Sequence, residues 1–171
     1  GSPLSVDFHH LAYPRYREGY ASGLLGIHAP DLRCLLEITL LPRRGLAYLS
    51  PVLLLAPLGF WRAMGRGIRA EAVAAIGATL AILVFAATTV DWTGGWGTGC
   101  RYLVAAVPFL LVGVAASVRD VPAASAVSVA FRGLTCVGLV AIGLSAASFP
   151  YFPHEFESPV WQVALPLLAN G

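Results

Sequence analysis

The chain has 171 residues, of which 57% are hydrophobic and only 12% charged, with a mean hydropathy of +0.74. A soluble domain is about a quarter charged, and half that share cannot cover a water-facing surface of this size. Intrinsic disorder needs low hydrophobicity and high charge and is excluded too. A net charge of +2, with no basic run interleaved with aromatics, gives no reason to expect nucleic acid as a partner. The expected class is a single integral membrane domain spanning residues 1–171. Its expected fold is all-α: a polytopic transmembrane helix bundle of about four spanning helices plus interfacial helices, in contact with membrane lipid.

The chain opens on Gly1-Ser2 without a charged n-region and an apolar h-region, so no signal peptide is expected. Those two residues are either a cloning scar or natural sequence from the middle of a longer protein, and the second reading is preferred. Residues 1–44 form a long polar external or interfacial segment. Within it, residues 29–41 have helical spacing, with Leu32, Leu35, Leu36, Thr39 and Leu40 on one face after Pro30-Asp31. That pattern predicts a helix lying on the membrane.

Residues 45–149 read as a four-helix membrane bundle, since a crossing needs roughly 20 apolar residues at 1.5 Å each. The expected spans are residues 45–61, 72–90, 102–118 and 126–149. Pro51, Pro57 and Pro108 lie inside or near them, tolerated where neighbours satisfy the freed carbonyls. Arg132 interrupts the start of the fourth span and is expected to snorkel to the nearer interface. Small residues in the second span (Ala74, Ala75, Gly77, Ala78, Ala81) and in the fourth (Gly133, Gly138, Gly143) predict close helix packing there. Residues 150–171 are an external tail or a truncated fifth span.

All eleven basic residues are arginine. Their totals on the two sides are nearly equal, but Arg62, Arg66 and Arg69 crowd one short connection. The density of arginine beside the membrane therefore puts that connection in the cytoplasm. The N-terminal segment, residues 91–101 and the tail are then outside. Arg43-Arg44 runs against this assignment.

The most specific string joins the second and third spans: Asp91-Trp92-Thr93-Gly94-Gly95-Trp96-Gly97-Thr98-Gly99-Cys100-Arg101-Tyr102. Its glycines permit positive φ and close approach of a ligand to the backbone. Arg101 and the N–H groups of the following helix suit an anion, particularly a phosphate. Trp92, Trp96 and Tyr102 either stack on sugar or isoprenoid groups or are ordinary members of the interfacial aromatic belt. Two arginines at the start of the first span, Arg43 and Arg44, oppose the helix dipole. Binding a lipid phosphate would account for them, as would plain anchoring to anionic lipid.

Asp7 with His9 and His10 is weak metal-ligand spacing and reads as a solvated loop, so no metal is expected. Cys34, Cys100 and Cys136 lack disulfide or zinc spacing. Rossmann, Walker, nucleophile-elbow and zincin motifs are absent, and no cofactor is expected.

These strings resemble the later part of bacterial multi-pass membrane glycosyltransferases of the GT-C class, relatives of protein mannosyltransferases and arabinosyltransferases. Gly1-Ser2-Pro3-Leu4 resembles the remnant of the family's phenylalanine-glycine-serine-proline segment, and Gly19-Tyr20 its following glycine-tyrosine. Arg44-Gly45-Leu46 with Ser50-Pro51 resembles its arginine-glycine-leucine … serine-proline stretch. Gly94 to Leu103, followed by Pro108-Phe109-Leu110, resembles its glycine-rich loop ending in glycine-proline-arginine; Cys100 stands where the family has proline.

The resemblance covers about residues 1–112. It implies transfer of a sugar from a polyprenyl-phosphate donor at the external face of the cytoplasmic membrane, by a multi-pass protein of the cell membrane. Arg101 would neutralise the departing phosphate, Arg44 would be second in line, and Trp96, Tyr102, Gly95 and Gly99 would shape the donor site. The family's catalytic carboxylate generally lies in an early external loop. Asp91 and Glu18 are external acids here but match no such motif, so the catalytic residue is unassigned. This chain alone would then be inactive. The competing expectation is a non-enzymatic membrane module, a transporter half or a structural subunit, although ionisable residues near the midplane are scarce for a transporter.

Overall fold

The computed structural model describes residues 18–19, 27–95, 97–148, 156–158 and 160–170. Among the described residues the architecture is all-α with no strand; an isolated antiparallel bridge pairs Ile27 with Thr89. Helix α1 is Leu32–Thr39, α2 is Leu46–Leu49, and a 3₁₀ segment Pro51–Leu55 leads into α3, Ala56–Met64. Helix α4 is Arg69–Thr88. A second 3₁₀ segment, Arg101–Ala106, runs into α5, Val107–Val118, and α6 is Ala126–Ser148. A π-helical turn Val160–Ala164 then enters α7, Leu165–Asn170.

Among the described residues three helical segments are long and apolar enough to cross a bilayer: Arg69–Thr88, Arg101–Val118 and Ala126–Ser148. They coincide with three of the four expected spans. The remaining one, residues 45–61, is not a continuous helix. It breaks at Ser50, whose φ of −133° and ψ of 68° leave the helical region, and restarts as the shorter apolar stretch Pro51–Met64.

The prolines explain where segments begin. Pro51, Pro57 and Pro108 each stand at the first or second position of a helical segment. There a missing N–H costs nothing and the ring pre-sets φ. All three therefore mark starts.

Helix α1 forms because Asp31 caps it, its Oδ1 accepting from the Arg33 N–H at 2.8 Å. Ile38 is fully buried and Glu37 nearly so, while Leu32, Leu36 and Leu40 are exposed. One face thus packs on the bundle and leaves a leucine stripe for the membrane surface.

Helices α3 and α5 run parallel, since successive contacts advance toward the C-terminal end of both. A Cβ added to Gly59 would lie 1.6 Å from the Gly113 carbonyl oxygen, and one on Gly113 would lie 2.7 Å from that of Ala56. Ala56, Gly59 and Ala63 meet Gly113, Ala116 and Ser117 across a backbone-to-backbone crossing, with Phe60 and Val114 buried beside it. Small residues drive helix association in hydrocarbon in just this way, by letting van der Waals contact replace side chains.

The small residues expected to pack closely in the second and fourth spans divide into two groups. A Cβ on Gly77, Gly133 or Gly143 meets open space among the described residues. Ala75 and Gly138 do pack closely: Ala75 is buried in the core with Ala56 and Ala63, and α6 crosses the break at Gly138, where an added Cβ would lie 3.3 Å from the Leu49 carbonyl oxygen.

Polar groups within the spans are satisfied locally, as a hydrocarbon solvent requires. Thr79 Oγ1 donates to the Ala75 carbonyl at 2.8 Å, Ser117 Oγ to Val114 at 2.7 Å and Ser145 Oγ to Ala141 at 2.9 Å. Arg132 folds back along its helix, Nε donating to the Ser128 carbonyl at 3.2 Å and Nη2 to that of Ala123. Its charge thereby reaches back past the start of the helix, away from the middle of the span, as snorkelling requires.

Candidate functional site

The loop from Thr89 to Cys100 joins α4 to the helical segment beginning at Arg101. It is pinned at its start: the His28 N–H donates to the Thr88 carbonyl at 2.9 Å beside the Ile27–Thr89 bridge. Asp91 organises the turn that follows. Its carbonyl accepts from the Gly94 N–H at 2.9 Å, and its Oδ1 accepts from Thr93 Oγ1 at 2.9 Å. Gly94 and Gly95 then take φ values of +71° and +92°, a region that side chains other than glycine's disfavour. Space adds a second requirement, because a Cβ on Gly94 would stand 2.8 Å from the Arg101 backbone nitrogen.

This turn brings Gly95 against Arg101. A Cβ built on Gly95 would be 3.8 Å from both Cζ and Nη1 of Arg101. The guanidinium also lies 5.5 Å from the Tyr102 ring centroid, within cation–π range. Arg101 is exposed and Tyr102 half-buried. Gly99 packs on α2, where an added Cβ would come 2.9 Å from Leu49 Cδ1. Trp96 lies outside the described residues.

Arg44 has a different situation. It is 1% exposed and sits under the loop. Burial and the neighbouring Arg43 charge push its guanidinium pKa down, while Cys100 and Asp91 act in the opposite direction. An arginine starts so high that it keeps its proton. Arg44 is therefore an internal positive charge placed near Asp91 and Cys100, whereas Arg101 offers its charge at the surface. Arg43 stacks its guanidinium 5.7 Å from the Trp92 ring centroid, tying the segment before α2 to the start of the loop.

Cys100, where the resembled family has proline, is buried, and its Sγ donates to the Trp92 carbonyl at 3.2 Å. Its φ of −70° lies within the range to which a proline ring locks. The torsion is thus one a proline would hold, and the thiol adds a tie across the loop. Burial pushes the thiol pKa up; the Tyr102 and Leu103 backbone N–H groups oppose that, Asp91 adds to it and Arg44 opposes it. Cys100 is not an activated nucleophile.

Of the external acids read from sequence, Asp91 is a turn organiser and Glu18 is exposed. Sequence reasoning passed over Glu37. This carboxylate is buried on the inner face of α1 and paired with Arg33 at 3.8 Å. The available signal was the i, i+4 spacing of Arg33 and Glu37 beside the leucine stripe. Among the described residues no three His, Cys, Asp or Glu side chains gather into a metal-holding group. Asp7, His9 and His10 lie outside the described residues.

An apolar cavity of about 410 Å³ opens between α2, α6 and the C-terminal helical segment, lined in part by Tyr48, Cys136, Val140, Leu144 and Trp161. None of its lining residues comes from the loop between residues 89 and 100. Compared with protein-family models, with curated proteins and with solved structures, the chain matches none.

Proposed function

We propose that the chain is part of a multi-pass glycosyltransferase of the cell membrane, and that its Gly94–Arg101 loop holds the phosphate of a polyprenyl-phosphate sugar donor at the external face. The observation that carries this reading is the pairing of an exposed Arg101 guanidinium with a bare, positive-φ Gly94-Gly95 turn at the start of an apolar spanning segment. Charge on the leaving phosphate grows in the transition state of sugar transfer. A guanidinium fixed before the reaction stabilises that charge without reorganising.

Tyr102 supports Arg101 through its ring, and Gly95 leaves room for the phosphate to approach. Trp96 is assigned to the sugar or isoprenoid side. Cys100, at a proline-like torsion, favours the resemblance where its chemistry departs from it. Arg44 supports the loop from beneath as a positioning residue. The catalytic carboxylate belongs, in this reading, to another part of the polypeptide.

The test uses the full-length protein, reconstituted with a polyprenyl-phospho-sugar. Arg101→Ala is expected to lower transfer by a factor of about a hundred or more, the scale for one lost oxyanion donor, while membrane insertion stays intact. Wild-type turnover by that variant refutes the assignment.

A further inference from the structure

The opposite end of the bundle carries a second arrangement that owes nothing to the glycosyltransferase reading. The last turn of α3 and the turn after it form an open groove of about 510 Å³, lined by Trp61, Arg62, Met64, Gly65 and Arg66. Its lining is of two kinds. Trp61 is 74% and Met64 42% exposed, and they continue an exposed apolar stripe through Leu54 and Pro57 along α3.

Arg62 and Arg66 provide the charge, and neighbouring groups hold both in place. Arg62 Nη1 donates to the Ser117 carbonyl at the end of α5. Arg66 Nη1 donates to the Arg119 carbonyl at 3.5 Å and pairs with Asp120 at 3.9 Å. A guanidinium has five N–H donors, so these contacts orient it and leave further N–H groups for an anion.

The setting is electropositive. Arg69, Arg119 and Arg132 belong to the same end, against only Glu71 and Asp120 among the described residues. A soluble anion would use the arginines and have no use for the tryptophan and methionine wall. A phospholipid uses both, its phosphate on the guanidiniums and its glycerol and upper acyl segment along Trp61 and Met64.

We propose that this groove is a binding site for an anionic phospholipid head group, with the acyl chains descending the Leu54–Met64 stripe. The probe is phosphatidylglycerol, titrated against phosphatidylcholine and inorganic phosphate on the full chain in detergent micelles. Bound lipid is counted by native mass spectrometry. Phosphatidylglycerol is expected to bind in preference to phosphatidylcholine. The double substitution Arg62→Gln/Arg66→Gln, at the two arginines that line the groove, is expected to weaken it about 30-fold. Arg33→Gln, exposed at the other end of the bundle, is expected to leave it unchanged.

Equal binding of the two lipids would overturn the proposal, as would a double variant that binds like wild type. An Arg33→Gln loss matching that of the double variant would reduce the effect to overall charge and overturn it equally. Displacement of the lipid by millimolar inorganic phosphate would overturn the phospholipid as occupant.

Discussion

The crossing of α3 and α5 gives a sharp test of what holds the bundle together. Gly59→Ala adds one methyl group, and that methyl would lie 1.6 Å from the Gly113 carbonyl oxygen and 2.8 Å from the Ser117 nitrogen. Ordinary contact begins near 3.4 Å, so the two backbones must part by roughly 1.8 Å. Both obstacles are main-chain atoms, and no rotamer change can relieve them. Overpacking of a close-packed site costs about 1–3 kcal/mol and occasionally more. Parting the helices also strains the Arg62–Ser117 contact one turn on, so about 3 kcal/mol is expected. For a chain of this size that lowers the thermal midpoint by about 6–12 °C.

Gly77→Ala supplies the control. It makes the same chemical change in α4, where the added carbon meets open space. Removing a mid-helix glycine there gains up to about 1 kcal/mol, so stability should hold or rise slightly. The assay is thermal unfolding in one detergent, followed by loss of the monodisperse peak on size exclusion. Equal midpoints for the two variants would refute the claim that main-chain contact at Gly59 and Gly113 organises this interface.

Two further outcomes concern the loop. Gly94→Ala must adopt a φ of +71° and press a carbon 2.8 Å from the Arg101 nitrogen. It should destabilise the loop by about 1–3 kcal/mol, read as faster proteolysis between residues 89 and 100 with α3 and α5 still protected; unchanged cleavage counts against the turn. Cys100, in a Cys34→Ser/Cys136→Ser background, should react with maleimide more slowly in the folded protein than in the denatured one, because burial keeps it as the neutral thiol. With a raised folded pKa, this stability contribution is complete below the ordinary thiol range. It is lost as pH rises, because the unfolded chain ionises first. Equal labelling rates, or stability that increases through alkaline pH, would remove the basis for that reading.

Apolar length was the most legible signal in the sequence. The stretches 72–90, 102–118 and 126–149 need only a solvent preference, and each recurs as a helix within a few residues of those bounds. The stretch 45–61 has the same solvent preference, but Ser50-Pro51 interrupts its hydrogen bonding, and composition averages over that break. Small residues were visible but their partners were not. Gly77, Gly133 and Gly143 look as suitable for close packing as Gly59 and Gly113, and what separates them is which helices the connections bring side by side.

The loop divides along the same line. Gly94, Gly95 and Arg101 are neighbours in the chain, so their meeting was legible as a string. Arg44 stands out in the sequence by its position at a helix start, yet only the tertiary structure reveals that it is buried. Glu37 escaped notice because its burial comes from the face α1 turns inward. Charge exposed by a local turn can be read from sequence, whereas charge buried by tertiary contact cannot. Of the two arginines Arg101 is thus the one whose charge is exposed, and Arg44 the one whose charge is buried near Asp91 and Cys100.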